Sequence, residues 1–200
     1  MSRLIKVAKQ AEQWLQNIKC SNSELMNLRD IGLMFCEMIF MEKNNKLNSL
    51  RSTEISCDYP EDFPLSLLQM KRNDILLLAM NMSLYKCESI LFSKQEWAQI
   101  IGGVSLSYAR HGDVPVVAAL VRIAAILQLD SSLLADSYSY LLDQQEPDGT
   151  FGVFAREWEL CSKSEEEEHI KLRLTVEVLW SLVEMSQMPL GLNQQMRFIV

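Results

Sequence analysis

The stretch 140–154, YLLDQQEPDGTFGVF, decides how the rest of this chain is interpreted. A run typical of a helix meets the letters PDG, which end helices and make turns. Gln145 stands at the end of that run, where its amide can bond backbone groups that a helix terminus leaves without partners. Gly149 is free to take a positive φ, and Phe151 can fold back over the Gln145 amide. The stretch therefore predicts a structural corner between two helices.

Helical patterns cover most of the chain on either side of this corner. Capping boxes of the form Ser-x-x-Glu predict helix starts at Ser21, Ser93 and Ser164, while Asp113 and Asp130 are predicted to cap two more helices. Apolar residues then recur at three- and four-residue steps. The predicted helices run over 3–18, 24–42, 93–109, from 113 onward, over 131–145 and 165–186, with an apolar helix or a broken pair over 64–85 and a last short helix after 191. No strand is predicted.

The composition is that of a globular helical protein. Hydrophobic residues make up 48% of the chain and charged residues 22%, and seven glycines and five prolines are few for an all-β fold with many tight turns. Two hundred residues are enough for one domain with a sizeable core. We predict a single helical domain over 1–200; if the chain divides, the boundary lies in the polar connection 43–64.

Charge and cysteine usage narrow the classes of partner and compartment. The formal net charge is −7 and no broad basic patch is visible, which argues against nucleic acid as a partner. The most apolar segments are shorter than the roughly 20 residues of a membrane span, and Arg122 interrupts one of them. Five scattered cysteines without a Cys-x-x-Cys motif favour reduced thiols in the cytoplasm.

The quoted stretch resembles the glutamine-and-aromatic repeat of the α/α-toroid proteins, the terpenoid cyclase and protein prenyltransferase group. One copy of the repeat matches, at Tyr140, Gln145, Gly149 and Phe151. These four residues and Asp148 are predicted to be structural. The resemblance implies antiparallel helical hairpins in a partial or degenerate toroid. It brings no activity with it, because the acid motif of the protonating cyclases and the zinc motifs of related enzymes have no counterpart in this sequence.

The letters YARHGD, residues 108–113, form the most promising polar cluster. His111 could act as a general base beside Asp113, with Tyr108 close by. Arg110, together with free amides of the following helix, could hold an anion. The structural alternative is favoured: Arg110 and His111 offset the dipole at one helix end, and Asp113 caps the next helix.

Two further features could contact a ligand. Trp158, in the letters REWE, could rim a pocket, although a tryptophan in a loop more often anchors that loop. A methionine stripe in the second predicted helix could line an adaptable groove, although such a stripe is more often core. Cys161 and His169 do not have the usual spacing of zinc ligands. No metal and no cofactor are therefore predicted.

These observations favour a non-catalytic binding or accessory protein that presents a groove between helix pairs to a protein, a peptide or an apolar ligand. The alternative is an enzyme of isoprenoid or natural-product metabolism, with a cavity between helices and the 108–113 cluster as its acid–base groups. A tetratricopeptide-type adaptor ranks last, because no 34-residue period is visible. The sequence predicts no oligomeric state.

Overall fold

Seven α-helices make up most of what the structure, a computed structural model, describes: residues 2–41, 52–87, 93–152 and 164–188. They are packed in antiparallel pairs, and the all-α class predicted from the sequence is confirmed. The helices are α1 (Arg3–Asn17), α2 (Ser23–Met41), α3 (Arg72–Leu84), α4 (Lys94–Arg110), α5 (Val114–Ile126), α6 (Ser132–Asp143) and α7 (Ser164–Ser186). A 3₁₀ turn (Leu65–Leu68) precedes α3, so the predicted helix over 64–85 is a broken pair.

Two short strands, β1 (Ser52–Cys57) and β2 (Tyr85–Cys87), form a parallel pair that the sequence analysis did not predict. Ser52 lies opposite Tyr85 and Cys57 opposite Cys87, with an irregular register between them. β1 falls in the connection 43–64, where the sequence lacks the alternation of apolar and polar residues that is typical of a strand. The prediction of no strand is wrong here, because a distant partner strand decides whether so short a segment pairs. Residues 42–51 lie outside the described part, so the subdivision in this connection stays a prediction.

Two of the predicted helix caps are confirmed. The Ser93 hydroxyl accepts a hydrogen bond from the Glu96 amide at 3.4 Å and opens α4. Asp113 Oδ1 accepts one from the Val116 amide, also at 3.4 Å, and opens α5. Each side chain satisfies one of the amide groups that the first helical turn leaves without an acceptor.

Two other predicted caps are wrong by one residue. Asn22 caps α2 in place of Ser21, and its Oδ1 accepts the amide three residues on at 2.9 Å. Ser131 caps α6 in place of Asp130, again with the amide three residues on, at 3.3 Å. Asn, Asp and Ser are nearly equal as caps, so adjacent polar residues compete and the sequence alone does not choose between them.

The core is organised around α5, of whose thirteen residues eleven are buried. Its many valine and alanine side chains let neighbouring helices approach closely. One hydrophobic cluster contains one side of α5 together with residues of α1, α2, α6 and α7. The other contains the opposite side of α5 with residues of α3, α4 and the turn before α3.

Among the described helices, α3 lies at one end of the order of packing. The α1–α2 hairpin packs on α7, α7 packs on α5, and α5 packs on α3 and α4. α4 and α1 both also contact α6. The main helical neighbour of α3 is therefore α5, and the α1–α2 hairpin lies at the far side of α5 and α7.

Candidate functional site

The corner predicted at 145–151 fastens the first helix of the protein as well as turning the chain. Gln145 Nε2 donates one hydrogen bond to the Val7 carbonyl at 2.8 Å and another to the Gly149 carbonyl at 3.1 Å. Gln145 and Phe151 also face each other in an antiparallel bridge. The glutamine amide thus closes the corner and bonds α1, which precedes it by most of the chain.

The turn itself is stabilised by Asp148 and made possible by Gly149. Asp148 Oδ1 accepts the Thr150 amide at 2.9 Å and the Thr150 hydroxyl at 2.7 Å. Burial would raise the pKa of Asp148, but these hydrogen bonds favour the carboxylate and hold its pKa below the ordinary value. Gly149 has a φ of 98°, and a Cβ on it would lie 2.2 Å from the Gln10 carbonyl oxygen.

Phe151 ties the same corner to α7. Its side chain is completely buried, and its amide donates to the Thr175 hydroxyl at 3.4 Å. Tyr140, one turn before the end of α6, is half-buried against the same hydrophobic cluster. The side chains and amides of the corner are engaged with one another and with α1 and α7, which is the arrangement of a joint between helices.

The 108–113 cluster makes capping contacts. His111 is exposed, and its Nδ1 donates to the Ser107 carbonyl at 2.7 Å. Asp113 is buried, and its Oδ2 lies 2.8 Å from Arg72 Nε while its Oδ1 accepts the amide of Val116. His111 and Asp113 therefore bond other groups, and the structure does not bring them together as an acid–base pair.

The other residues of that prediction lie apart. Arg110 is exposed in the last turn of α4, and Tyr108 is half-buried against the core. Trp158 and Cys161 lie outside the described residues, and His169 lies on α7. Among the described residues, no three His, Cys, Asp or Glu side chains are grouped as metal ligands would be.

Exposed apolar side chains are concentrated on the 3₁₀ turn and on one side of α3; we call these residues together the α3 surface. It contains five of the eight large hydrophobic side chains that are exposed in the described part of the chain. Their exposed fractions range from 36% to 66%. The members are Leu65, Leu68, Leu77, Met80 and Leu84.

Helical spacing explains why α3 has this surface. Leu77, Met80 and Leu84 follow one another at steps of three and four residues and so share one face. Leu78 and Ala79 lie on the other side, buried in the cluster that α3 shares with α5. Within the described part of the chain, α3 packs on α5 and also contacts the two strands, and the side with Leu77, Met80 and Leu84 is exposed.

The methionine stripe predicted in α2 mostly contributes to the core. Met38 is buried, Met34 is partly buried, and Met41 at the end of the helix is 47% exposed. The structural interpretation of this stripe is therefore the better one for its first two members, and the large exposed apolar surface lies on α3 instead.

A second unusual cluster surrounds Arg122, which is 2% exposed in the middle of α5. Its guanidinium carbon lies 4.3 Å from the centre of the Trp180 ring. Trp180 stacks on Phe35 at 5.7 Å, so α2, α5 and α7 all contribute to the cluster. Arg122 Nη1 lies 2.8 Å from Glu177 Oε2, on the exposed side of α7.

Three nitrogen donors of this cluster are buried without a hydrogen-bond acceptor: Arg122 Nε, Arg122 Nη1 and Trp180 Nε1. Nη1 is nevertheless ion-paired with Glu177 at 2.8 Å, so Arg122 Nε and Trp180 Nε1 are the two donors left without a partner. In the sequence, Arg122 is a single cation in an otherwise apolar helix. A buried cation is costly unless it is paired, so the sequence alone predicts a partner for it. Trp180 and Phe35 could not be assigned to it, because they are distant in sequence.

Two cysteines in the described part are free thiols, Cys20 and Cys36. Burial raises the pKa of Cys36 to about 12, so this thiol stays protonated at neutral pH. It is a core residue and not a nucleophile. Among the helices of the described ranges, none combines the length and the apolar character needed to cross a bilayer.

Comparison with known proteins finds no match: no protein-family model, no curated protein and no solved structure corresponds to this chain.

Proposed function

We propose that this protein is a non-catalytic, cytoplasmic binding protein that docks an amphipathic helix of a partner protein on the α3 surface. The observation that carries the proposal is the concentration of exposed apolar side chains on the 3₁₀ turn and α3. A large exposed apolar patch on a folded protein commonly marks an interaction site, because its burial lowers the free energy of a complex.

The spacing of the α3 surface favours a helix as the occupant. Leu77 and Leu84 are seven residues apart, which is about 10 Å along a helix. Met80 lies between them, and side chains at such steps form the ridges into which another helix packs. The unbranched methionine can adapt to the contour of its partner. Helices elsewhere in this molecule already pack by apolar stripes of the same kind.

Charge beside the α3 surface favours a partner helix with basic residues at one end. Glu61 and Asp62 are exposed just before the 3₁₀ turn, and Asp74 is exposed in the first turn of α3. Lys71 is the exposed cation among them. The carboxylates outnumber it, so Lys or Arg residues on the partner would steer the encounter and set its direction.

The proposal includes an architecture, a degenerate α/α-toroid-like array of helical hairpins. What supports it is the corner at 145–151, where the glutamine, the glycine and the second aromatic of the repeat make mutually consistent contacts. In such an array α3 would be an edge helix, and an added helix would continue the packing beyond it.

The test uses a photo-crosslinking amino acid at position 77, in the cells from which the sequence comes. A matched variant has the same amino acid at Gln99, an exposed position of α4. The segment crosslinked from position 77 is identified by mass spectrometry and synthesised as a peptide. Its affinity is then measured by titration calorimetry for the unmodified protein and for Met80→Asp.

The proposal expects a position-77-specific crosslink to a segment with an apolar face and a basic end. Its peptide should bind the unmodified protein. Its affinity for Met80→Asp should be weaker by on the order of tenfold or more. The proposal is overturned if the crosslinked segment belongs to a second copy of this chain, or if the crosslinker at position 99 captures the same segment equally well. It is also overturned if the peptide binds the unmodified protein and Met80→Asp with equal affinity. The substitution lies on an exposed side chain, so an unchanged melting temperature verifies that the fold is intact.

A further inference from the structure

We infer that the cluster of Arg122 and Trp180 is a binding site for an oxyanion, a carboxylate or phosphate group of a ligand, between α2, α5 and α7. The cluster combines one cation, whose Nη1 is ion-paired with Glu177, with two further buried N–H donors that have no protein acceptor, Arg122 Nε and Trp180 Nε1. It lies on the far side of α5 from α3, and so it is separate from the α3 surface.

Burial makes these donors costly. An unsatisfied buried donor disfavours the folded state by about 1–3 kcal/mol, and native proteins contain few such groups. Here two of them, Arg122 Nε and Trp180 Nε1, belong to side chains in direct contact, with Arg122 over the ring of Trp180 at 4.3 Å. Donors in that number, with no acceptor of their own, match a group that has several acceptor oxygens and a negative charge.

Glu177 does not already fulfil that role. It approaches one edge of the guanidinium at 2.8 Å but leaves Nε and the indole N–H without acceptors. Its side chain is 39% exposed, so water screens its charge and weakens its repulsion of a second anion.

The aromatic neighbours suit an anion bound to an arginine. Trp180 holds the guanidinium on one side by a cation–π contact, and Phe35 stacks on Trp180 with an interplanar angle of 27°. A guanidinium fixed in this way loses little side-chain freedom on binding. Planar, rigid donors are what bidentate recognition of a carboxylate or phosphate requires.

The experiment follows the indole N–H signals of the protein by ¹H–¹⁵N NMR. Sodium acetate and sodium phosphate are titrated separately, with sodium chloride at equal ionic strength as the control. Trp180→Phe assigns the Trp180 signal and keeps an aromatic ring beside Arg122. Trp14 and Trp97, which lie outside the cluster, serve as internal references in each spectrum.

We expect a saturable shift of the Trp180 signal with acetate or phosphate and none with chloride. Whichever anion saturates at the lower concentration identifies the group as carboxylate or phosphate. Arg122→Met should abolish the response, and Arg122→Lys, which keeps the charge but not the planar donors, should weaken it by about tenfold. In Trp180→Phe, the Arg122 Nε–H signal should still respond at higher anion concentrations.

Three results would overturn the inference. One is the absence of a saturable shift for both anions; another is a shift that persists in Arg122→Met. The third is a cross-peak from the Trp180 N–H to a bound water that neither anion displaces, which means a buried water only. If Arg122→Met fails to fold, Arg122→Lys and Trp180→Phe, with the Arg122 Nε–H signal, still decide between these outcomes.

Discussion

Gly149 illustrates how one residue can connect distant parts of this chain. Its backbone lies against that of Gln10 in α1, and no side chain fits between them. Its positive φ of 98° is a conformation that other residues adopt only with strain. The turn residues were visible in the sequence, but the neighbour that excludes a Cβ was not.

Replacing Gly149 with alanine should destabilise the protein by about 1–3 kcal/mol from the positive φ alone. Displacement of α1 adds to this, because the new Cβ would lie 2.2 Å from the Gln10 carbonyl oxygen. The measurement is urea unfolding, with hydrogen exchange to show that the α1 amides lose protection first. The matched control is Gly152→Ala, where the nearest atom to a Cβ is Glu146 Oε1 at 3.4 Å. Equal losses in the two variants would contradict this account of the corner.

Asp113 has two roles, of which the sequence predicts only one. Its role as a helix cap follows from its position before an apolar helix, and the sequence predicts it. Its ion pair with Arg72 does not follow, because α3 and α5 are joined only by the fold. That ion pair occupies the carboxylate that an acid–base function with His111 would need.

Contacts between elements depend on which side of a helix a residue faces. Gly102 and Gly103 are consecutive in α4, but only Gly102 faces α6: a Cβ on it would lie 2.7 Å from the Leu133 Cβ. Around Gly103 nothing lies within 4 Å. Gly102 alone therefore permits the close approach of the two helices.

Substituting these two adjacent glycines with alanine should change the stability of the protein in opposite directions. Gly102→Ala should destabilise the protein by about 1–3 kcal/mol, because the added methyl group forces α4 and α6 apart. Gly103→Ala should stabilise it by up to about 1 kcal/mol, since alanine has the higher helix propensity and the site is open. Thermal unfolding of both variants measures the difference. A gain of stability in Gly102→Ala would show that the α4–α6 contact is looser than described.

For the 3₁₀ turn and α3, the sequence pattern predicts the elements but not which side of α3 is buried. The letters predict an apolar helix or a broken pair, and that is what forms. They do not tell which side of α3 is covered, because Leu77 and Leu78 are equally apolar. The packing of α5 against Leu78 decides it, and Leu77 is left 52% exposed.

For the whole molecule, α5 is the element that both hydrophobic clusters share. Val117 and Val121 belong to the cluster with α1, α2 and α7, while Leu120 and Ile123 belong to the cluster with α3 and α4. Neither cluster can be dismantled without exposing one side of α5. The two halves of the core should therefore be stable together or not at all.

We accordingly expect one cooperative unfolding transition. Calorimetry should give equal calorimetric and van't Hoff enthalpies, as for a single domain. Tryptophan probes on the two sides should report the same midpoint: Trp97 for the cluster with α3 and α4, and Trp180 for the cluster with α2 and α7. Single-tryptophan variants make the comparison in urea. Separate midpoints for the two probes would instead support a subdivision in the connection 43–64.

The sequence by itself determined the all-α class, most helix bounds, two of the caps and the position of the corner at 145–151. These depend on residue propensities, on periodicity and on turn chemistry, all of which act within a few residues along the chain. The tertiary structure alone decided that the corner holds α1, that β1 pairs with β2, that Leu77 is exposed while Leu78 is buried, and that Arg122 contacts Trp180. Each of these joins segments far apart in sequence, and such contacts form only when burial of the shared core brings their segments together.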